Sequence, residues 1–224
     1  IENYNNQDTN VLVSVYISVY PTASNKVVYV LGLSAIDIST GKNYVHHIRS
    51  KESDNKLWTD ELFRLIHYYN PREILFHFDP NTNLASELSE SKISQEWEIN
   101  HKTLHVNTCW SKDFEKISYQ NDFLKKIYPD TGILSPLEYL GFERELEIAL
   151  SYMYMIQFIH EHKIENLIGL PKPVFKSSEQ HLILNHNCIY QLYLIENKEH
   201  SGERYNSLMS ILNQCNTAIG RRLC

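Results

Sequence analysis

The sequence predicts a mixed α/β domain followed by a helical region. Between residues 11 and 48, three apolar strand patterns follow one another with short turns between them, which is typical of an antiparallel meander. After residue 56, helical and strand patterns alternate, as expected for a sheet that is covered by helices. From residue 137, a long helical pattern takes over.

The three strand patterns differ in how they distribute their apolar residues. Residues 11–19, VLVSVYISV, place Ser14, Tyr16 and Ser18 on one side and apolar residues on the other. Residues 27–37, VVYVLGLSAID, are almost continuously apolar, which indicates a strand that is covered on both faces. A tight turn at residues 38–42 leads into the third pattern, NYVHHI.

The period then changes from strand to helix. Apolar residues recur at helical spacing at Trp58, Leu62, Leu65, Ile66 and Tyr69. Pro71 ends this helix, and we expect a buried strand over residues 72–78, a short helix over 83–90 and a strand near 102–106. The order of meander, helix, strand, helix and strand predicts a ribonuclease-H-like α/β domain over residues 11–130, preceded by a polar linker at 1–10.

The second half is predicted to be an all-α region, 131–224. Residues 137–164 carry a wide apolar stripe at helical spacing. A proline-bounded loop, IGLPKPVF, and a strand–helix pattern, HLILNHNCIYQLYLIEN, follow. Two terminal helices are capped by Asn206 or Ser207 and by Asn216 or Thr217. No stop signal follows Leu223, so we expect an incomplete helical region in a chain that is a fragment.

Composition excludes several classes of protein. The net charge of −6 argues against a broad nucleic-acid-binding surface, which requires clustered Lys and Arg. The four cysteines show no CxxC spacing, so we expect reduced thiols in an intracellular protein. Apolar runs are all shorter than the ~20 residues that a membrane helix needs, and we expect no membrane partner.

Three carboxylates are the candidate catalytic residues. Asp37 ends a predicted strand, Glu61 lies on the helix that follows the meander, and Asp79 comes after the next strand. Two-metal hydrolysis needs carboxylates that converge on metals about 4 Å apart. Asp37 also lies beside a Ser-Thr-Gly turn, and Asp79 precedes Pro80, where carboxylates commonly accept backbone amides. Turn capping is the favoured interpretation, and a metal-dependent nuclease is the alternative.

Other constellations have ordinary interpretations. His46 and His47 point to opposite sides of a strand, and His160 and His162 to different faces of a helix, so we expect no metal site. The tyrosines lie within apolar patterns, which predicts core or interface positions. The sequence contains neither GxxxxGK[ST] nor GxGxxG, so we expect no bound nucleotide and no catalytic or cofactor-binding residue.

Three motifs in order resemble the MutS family of DNA mismatch-repair proteins. The first is AIDISTGK around Asp37, and the second is NPREIL at residues 70–75. The third resembles the family's Ser-Leu-Leu, Leu-Asn and Thr-x-x-Gly-x-Arg-Leu-Leu pattern. It is carried by Ser207, Leu208, Leu212, Asn213, Thr217, Gly220, Arg222 and Leu223.

A preceding segment resembles the family less closely. His181, Leu182, Leu184, Leu192, Leu194 and Asn197 fit the family pattern. Asn185 stands where the family has Asp, Cys188 where it has Thr, and Tyr193 where it has Glu. These departures predict a divergent branch.

The resemblance implies a connector domain and the start of a helical core, which couple DNA reading to a distant ATPase. It also implies ATP and Mg²⁺ in the full-length protein, mismatched double-stranded DNA as its target, a homodimer or heterodimer of similar subunits, and a downstream repair partner. The family's Phe-x-Glu mismatch-reading motif is absent from the sequence, as expected for a fragment.

Overall fold

A computed structural model describes most of the chain. The described residues are 10–22, 26–54, 56–82, 84, 88–100, 103–107, 112–162, 169–176, 184, 186–194, 207–215 and 217. The chain packs into two compact units, residues 1–177 and 178–224. The predicted family-domain boundaries at residues 10 and 130 remain predictions.

The first unit is built on a six-stranded mixed sheet. Its strands are β1 (Val11–Pro21), β2 (Val27–Asp37), β3 (Asn43–Arg49), β4 (Glu73–Phe78), β5 (Leu104–Val106) and β6 (Val174–Phe175). They lie in the order β5-β4-β1-β2-β3-β6. The first three strands are antiparallel neighbours, whereas β4 runs parallel to β1, β5 to β4 and β6 to β3. The predicted meander and the strands near 72–78 and 102–106 are confirmed.

Among the described residues of the first unit, five helices and a 3₁₀ turn accompany the sheet. The helices are α1 (Leu57–Tyr69), α2 (Glu90–Glu96), α3 (Ile117–Lys125), α4 (Pro136–Leu140) and α5 (Leu146–Glu161), and the 3₁₀ turn is Lys112–Glu115. The helix predicted at 56–70 is therefore confirmed. It ends at Asn70, which adopts a left-handed conformation with φ 42°, so that Pro71 can follow without disturbing the helical ladder. The helix predicted over 83–90 falls mainly outside the described residues, and α2 begins at its end.

The single long helix predicted over 137–164 is two helices. Gly141 ends α4 in a left-handed conformation with φ 80°, which glycine adopts without a side-chain clash. After a short connection, α5 begins at Leu146 and packs on β1 and β2. Helix α5 is buried on nearly all sides, because the sheet covers one face and α3 and α4 lie against another.

The sheet is therefore covered on both faces. On one face, β1 residues Val13, Val15 and Ile17 form a core with α1. On the other face, Leu12 and neighbouring strand residues pack against α5. This arrangement explains why the polar residues of β1 are also buried: Ser14 and Ser18 lie under a helix and not in solvent.

One glycine lets α5 approach the sheet closely. A Cβ at Gly32, in the middle of β2, would lie 2.1 Å from the carbonyl oxygen of Glu147 and 2.5 Å from the amide nitrogen of Ile148. Both atoms belong to the backbone of the first turn of α5. Backbone atoms cannot rotate out of the way as a flexible side chain can, so any side chain at position 32 would force the helix off the sheet.

The second unit contains two short described helices, α6 (His186–Gln191) and α7 (Leu208–Leu212). Ser207 caps α7 with a reciprocal capping box, in which its hydroxyl accepts from the Ser210 amide. The backbone amides of Leu208 and Met209 donate to the carbonyls of Tyr193 and Leu194. The predicted cap at Ser207 is confirmed, whereas most of the second terminal helix lies outside the described residues.

We expect Gly32→Ala to reduce the free energy of unfolding by about 3 kcal/mol or more, because the added methyl meets fixed backbone. Gly132→Ala is the matched control. Its Cβ would meet nothing within 4 Å, although φ is +65°, so its loss of about 1 kcal/mol reports backbone strain alone. Urea denaturation gives the free energy of unfolding of each variant. Equal decreases for Gly32→Ala and Gly132→Ala would contradict a close helix–sheet contact.

Candidate functional site

The three candidate catalytic carboxylates do not converge. Asp37 is paired with Val11 at the start of β1, whereas the amide of Asp79 donates to the Ile17 carbonyl further along that strand. Six residues of β-strand separate these positions by about 20 Å. Glu61 lies on α1 and pairs with Arg64 at 2.6 Å. These side chains therefore cannot share a metal pair of the spacing that two-metal hydrolysis requires.

Asp37 and Asp79 instead hold turns. One Asp37 carboxylate oxygen accepts from the Ser39 amide at 2.9 Å, and the other accepts from the Thr40 hydroxyl at 2.7 Å. Gly41 completes that turn at φ +72°. In the next turn, the Asp79 carboxylate accepts from the amide and the side chain of Asn81. The geometry agrees with the turn-capping interpretation of both residues.

The histidines are placed separately. His46 is buried, and its Nε2 lies 2.7 Å from the Tyr69 hydroxyl. His47 points to the other side of the strand, where its Nδ1 lies 3.1 Å from Glu145. Nδ1 of His162 lies 2.8 Å from the Phe158 carbonyl. Within the described part of the chain, no group of three or more His, Cys, Asp or Glu side chains could hold a metal ion.

A polar seam, formed by Tyr20, Ser34, Glu147 and Ser151, joins α5 to the sheet. The Tyr20 hydroxyl donates to Glu147 Oε1 at 2.7 Å, and the Ser34 and Ser151 hydroxyls lie 2.6 Å apart. Burial, reinforced by the hydrogen bond to Glu147, raises the pKa of Tyr20 to about 12. Tyr20 therefore remains a neutral donor at physiological pH. No local sequence pattern indicates this seam, because its partners are more than one hundred residues apart.

The predicted core or interface placement of the tyrosines holds for most of those described. Tyr16, Tyr69, Tyr152 and Tyr154 are buried. Tyr152 shares a 2.6 Å hydroxyl contact with Tyr128, which ties α5 to the segment between α3 and α4. The exposed exceptions are Tyr20, Tyr68, Tyr119 and Tyr193. Tyr68 is the most exposed of them at 64%, and its ring contacts the ammonium group of Lys176.

A cavity of about 160 Å³ lies at the amino ends of β1 and β4, with Arg72, Glu73, Phe158 and His162 in its lining. Ligands of open α/β sheets usually bind beyond the carboxyl ends of parallel strands. This cavity lies at the opposite end. Its position therefore gives no support to a catalytic role.

In the motifs that resemble the MutS family, several of the described residues stabilise turns, strand ends and helix ends. Asp37, Thr40 and Gly41 form the β2–β3 turn, and the Arg72 amide donates to the Val11 carbonyl at the start of β4. Ser207 is a helix cap. These contacts stabilise the turns and helix ends that connect the strands and helices. Gly220, Arg222 and Leu223 lie outside the described residues.

Comparisons with known proteins agree with the resemblance. The chain is 33% identical to a putative DNA mismatch repair protein, a MutS homologue, of Acanthamoeba polyphaga mimivirus, over an alignment of 235 positions that covers 96% of the chain. It is 27% identical over 196 residues, 86% of its length, to the DNA mismatch repair protein MutS of Halothermothrix orenii. No family model matches the chain.

These similarities identify the chain as a divergent MutS-like sequence. It spans only about one fifth of these relatives, 21% of the mimivirus protein and 19% of the bacterial one.

A solved structure, Fowlpox virus resolvase with Holliday junction DNA, overlaps 68% of this chain and 99% of its own at 13% identity and a TM-score of 0.38. That score is too low to support a conclusion about fold or function. Separately, no helix among the described residues is both long enough and apolar enough to span a membrane.

We expect Asp37→Asn to lower the free energy of unfolding by about 1 kcal/mol, because the neutral side chain is a weaker acceptor for the turn. Asp122→Asn, on an exposed position of α3, is the control and should change it little. Urea denaturation with and without MgCl₂ gives the free energy of unfolding of both variants, and incubation with nucleic acid and MgCl₂ tests for cleavage. Magnesium-dependent cleavage of nucleic acid by the unsubstituted chain that is lost in Asp37→Asn would instead support the nuclease alternative.

The buried His46 should make stability depend on pH. Burial, aided by the charges of Lys176 and Arg64, lowers the pKa of His46 to about 4 from 6.5. The unfolded chain therefore binds a proton that the folded chain does not, and stability falls as pH drops from 6.5 towards 4. We expect a loss of up to about 3 kcal/mol over this range. Chemical denaturation at several pH values should show a shallower slope for His46→Gln, and identical slopes would refute this assignment.

Proposed function

We propose that this chain is a non-catalytic coupling segment of a MutS-like mismatch-repair protein. In this proposal, residues 11–130 are its ribonuclease-H-like connector domain, and the beginning of its helical core follows in residues 131–224. The segment would transmit changes between a DNA-reading part and an ATPase part that lie elsewhere in the full-length protein.

The observation that carries this proposal is the extent of the similarity. Almost the entire chain aligns with a MutS homologue, yet it covers only about one fifth of that relative. The proposal is also supported by the order of the sheet, in which a meander is followed by two parallel strands. A segment of a larger machine needs a rigid body that moves as a unit, and the polar seam and the double-sided core of the first unit support that role.

The whole protein would have further components. By analogy with the family, we propose that it binds ATP and Mg²⁺ at an ATPase site outside this segment and recognises mismatched double-stranded DNA. We also propose that it works inside the cell as a homodimer or heterodimer and meets a downstream repair protein. The rival function, a metal-dependent nuclease using Asp37, Glu61 and Asp79, is disfavoured because Asp37 and Asp79 lie about 20 Å apart along the sheet.

The 224-residue chain should neither hydrolyse ATP nor distinguish mismatched from matched DNA. We expect weak duplex binding that disappears as salt rises, because it would rest on phosphate contacts alone. Fluorescence anisotropy with a matched duplex and the same duplex carrying one G·T mispair, together with a phosphate-release assay, provides the test. Tight binding selective for the mispair, or ATP hydrolysis by the purified chain, would sink the proposal.

A further inference from the structure

Lys176, at the end of the edge strand β6, lies in a corner of tyrosine rings. Its ammonium nitrogen is 4.4 Å from the ring centroid of Tyr44 and 5.1 Å from that of Tyr68. The same nitrogen donates to the Tyr68 hydroxyl at 3.2 Å. A cation within about 6 Å of an aromatic centroid is attracted by the ring quadrupole, so Lys176 makes two such contacts and one hydrogen bond.

The corner is held in place by the core. Tyr69, which is buried, contacts both of the other rings, with centroids 5.0 Å from Tyr68 and 6.1 Å from Tyr44. The hydroxyl of Tyr69 is in turn fixed by its 2.7 Å contact with His46. Tyr44 belongs to β3 and Tyr68 to α1, so the lysine joins the edge strand β6 to its neighbour β3 and to helix α1.

Strand β6 has few backbone attachments to the sheet. It pairs with β3 at only two positions, Tyr44 with Val174 and Val45 with Phe175, and the Lys176 amide adds a bond to the Val45 carbonyl. Upstream, the Asn43 side chain donates to the Pro171 carbonyl at 2.9 Å. So short an edge strand has little stability of its own, and side-chain contacts help to hold it. The Phe175 ring packs edge-on against Phe142, with centroids 5.8 Å apart, and Lys176 adds its contacts with the two tyrosines.

Lys176 also occupies a particular place in the chain. The first compact unit ends at residue 177, one residue later, and the second begins at 178. The point at which the chain leaves the first unit is therefore adjacent to the lysine and its tyrosines. If motion is to be passed along the chain, the place where the connection leaves a rigid body must itself be fixed.

We propose that Lys176, Tyr44 and Tyr68 form a latch that fixes the point at which the chain leaves the first unit. This inference rests on the proposed coupling function and names the residues that would hold the exit point of the chain in place. The latch depends on a positive charge and a hydrogen-bond donor at position 176. Loss of both would free β6 from α1 while leaving the rest of the sheet intact.

Hydrogen–deuterium exchange of the 224-residue chain tests the latch. Lys176→Met keeps the length of the side chain but removes its charge and donor, and it should speed exchange in a peptide covering Val174–Phe175 and Lys176 by about five- to tenfold. Lys176→Arg keeps both properties and should stay within about twofold of the original rate. A peptide from β1 is the internal control and should exchange unchanged.

Lys172→Met is the matched control variant. Lys172 lies four residues upstream, has the same charge and makes a single, longer contact of 5.4 Å with Tyr139, so its loss should leave β6 exchange nearly unchanged. The latch is refuted if Lys176→Met exchanges like the original chain, if Lys172→Met has an equal effect, or if β1 is affected as much as β6. Because no DNA or nucleotide is present, the outcome is independent of the assays of the proposed function.

Discussion

The close approach of α5 to β2 at Gly32 is the constraint on which the rest of the first unit depends. With the helix backbone almost touching the strand, the far side of the sheet becomes an interior, and the polar residues of β1 are buried instead of solvated. Helix α5 in turn gives α3 and α4 a surface on which to pack. Any side chain at this glycine would therefore disturb three layers at once.

Hydrogen bonds stabilise the close contact between α5 and the sheet that Gly32 allows. Burying hydroxyl and carboxylate groups is unfavourable unless they find partners, and Tyr20 with Glu147 and Ser34 with Ser151 supply them. Such pairs fix the register of the helix more specifically than apolar contacts, since a shift of one turn would leave both pairs unsatisfied. A segment that passes motion between distant sites benefits from an interior with one preferred arrangement.

The resemblance to mismatch-repair proteins rests on residues whose tasks are architectural. Asp37 attracts attention as a candidate catalyst, yet its carboxylate is engaged by the turn that joins β2 to β3. Lys176 has no place in any motif, but it ties the last strand of the unit to the core. A coupling segment would depend on how rigidly its strands and helices are held together. Single contacts at an edge strand, such as those of Lys176, would then affect coupling as much as contacts in the core.

The sequence by itself determined the meander, helix α1 and the strands that follow it, because alternating and helical apolar spacing are local properties. It also determined the turn role of Asp37 and the cap at Ser207, whose partners lie within a few residues. Only the tertiary structure decided that α5 lies on the sheet, that the predicted long helix is interrupted at Gly141, and that PKPVFK supplies an edge strand. The position of α5 and the edge strand depend on contacts between residues far apart in the chain, and local patterns carry no information about which distant surface will cover them. The interruption is a left-handed cap at Gly141, which the apolar spacing alone does not reveal because it continues on both sides of the glycine.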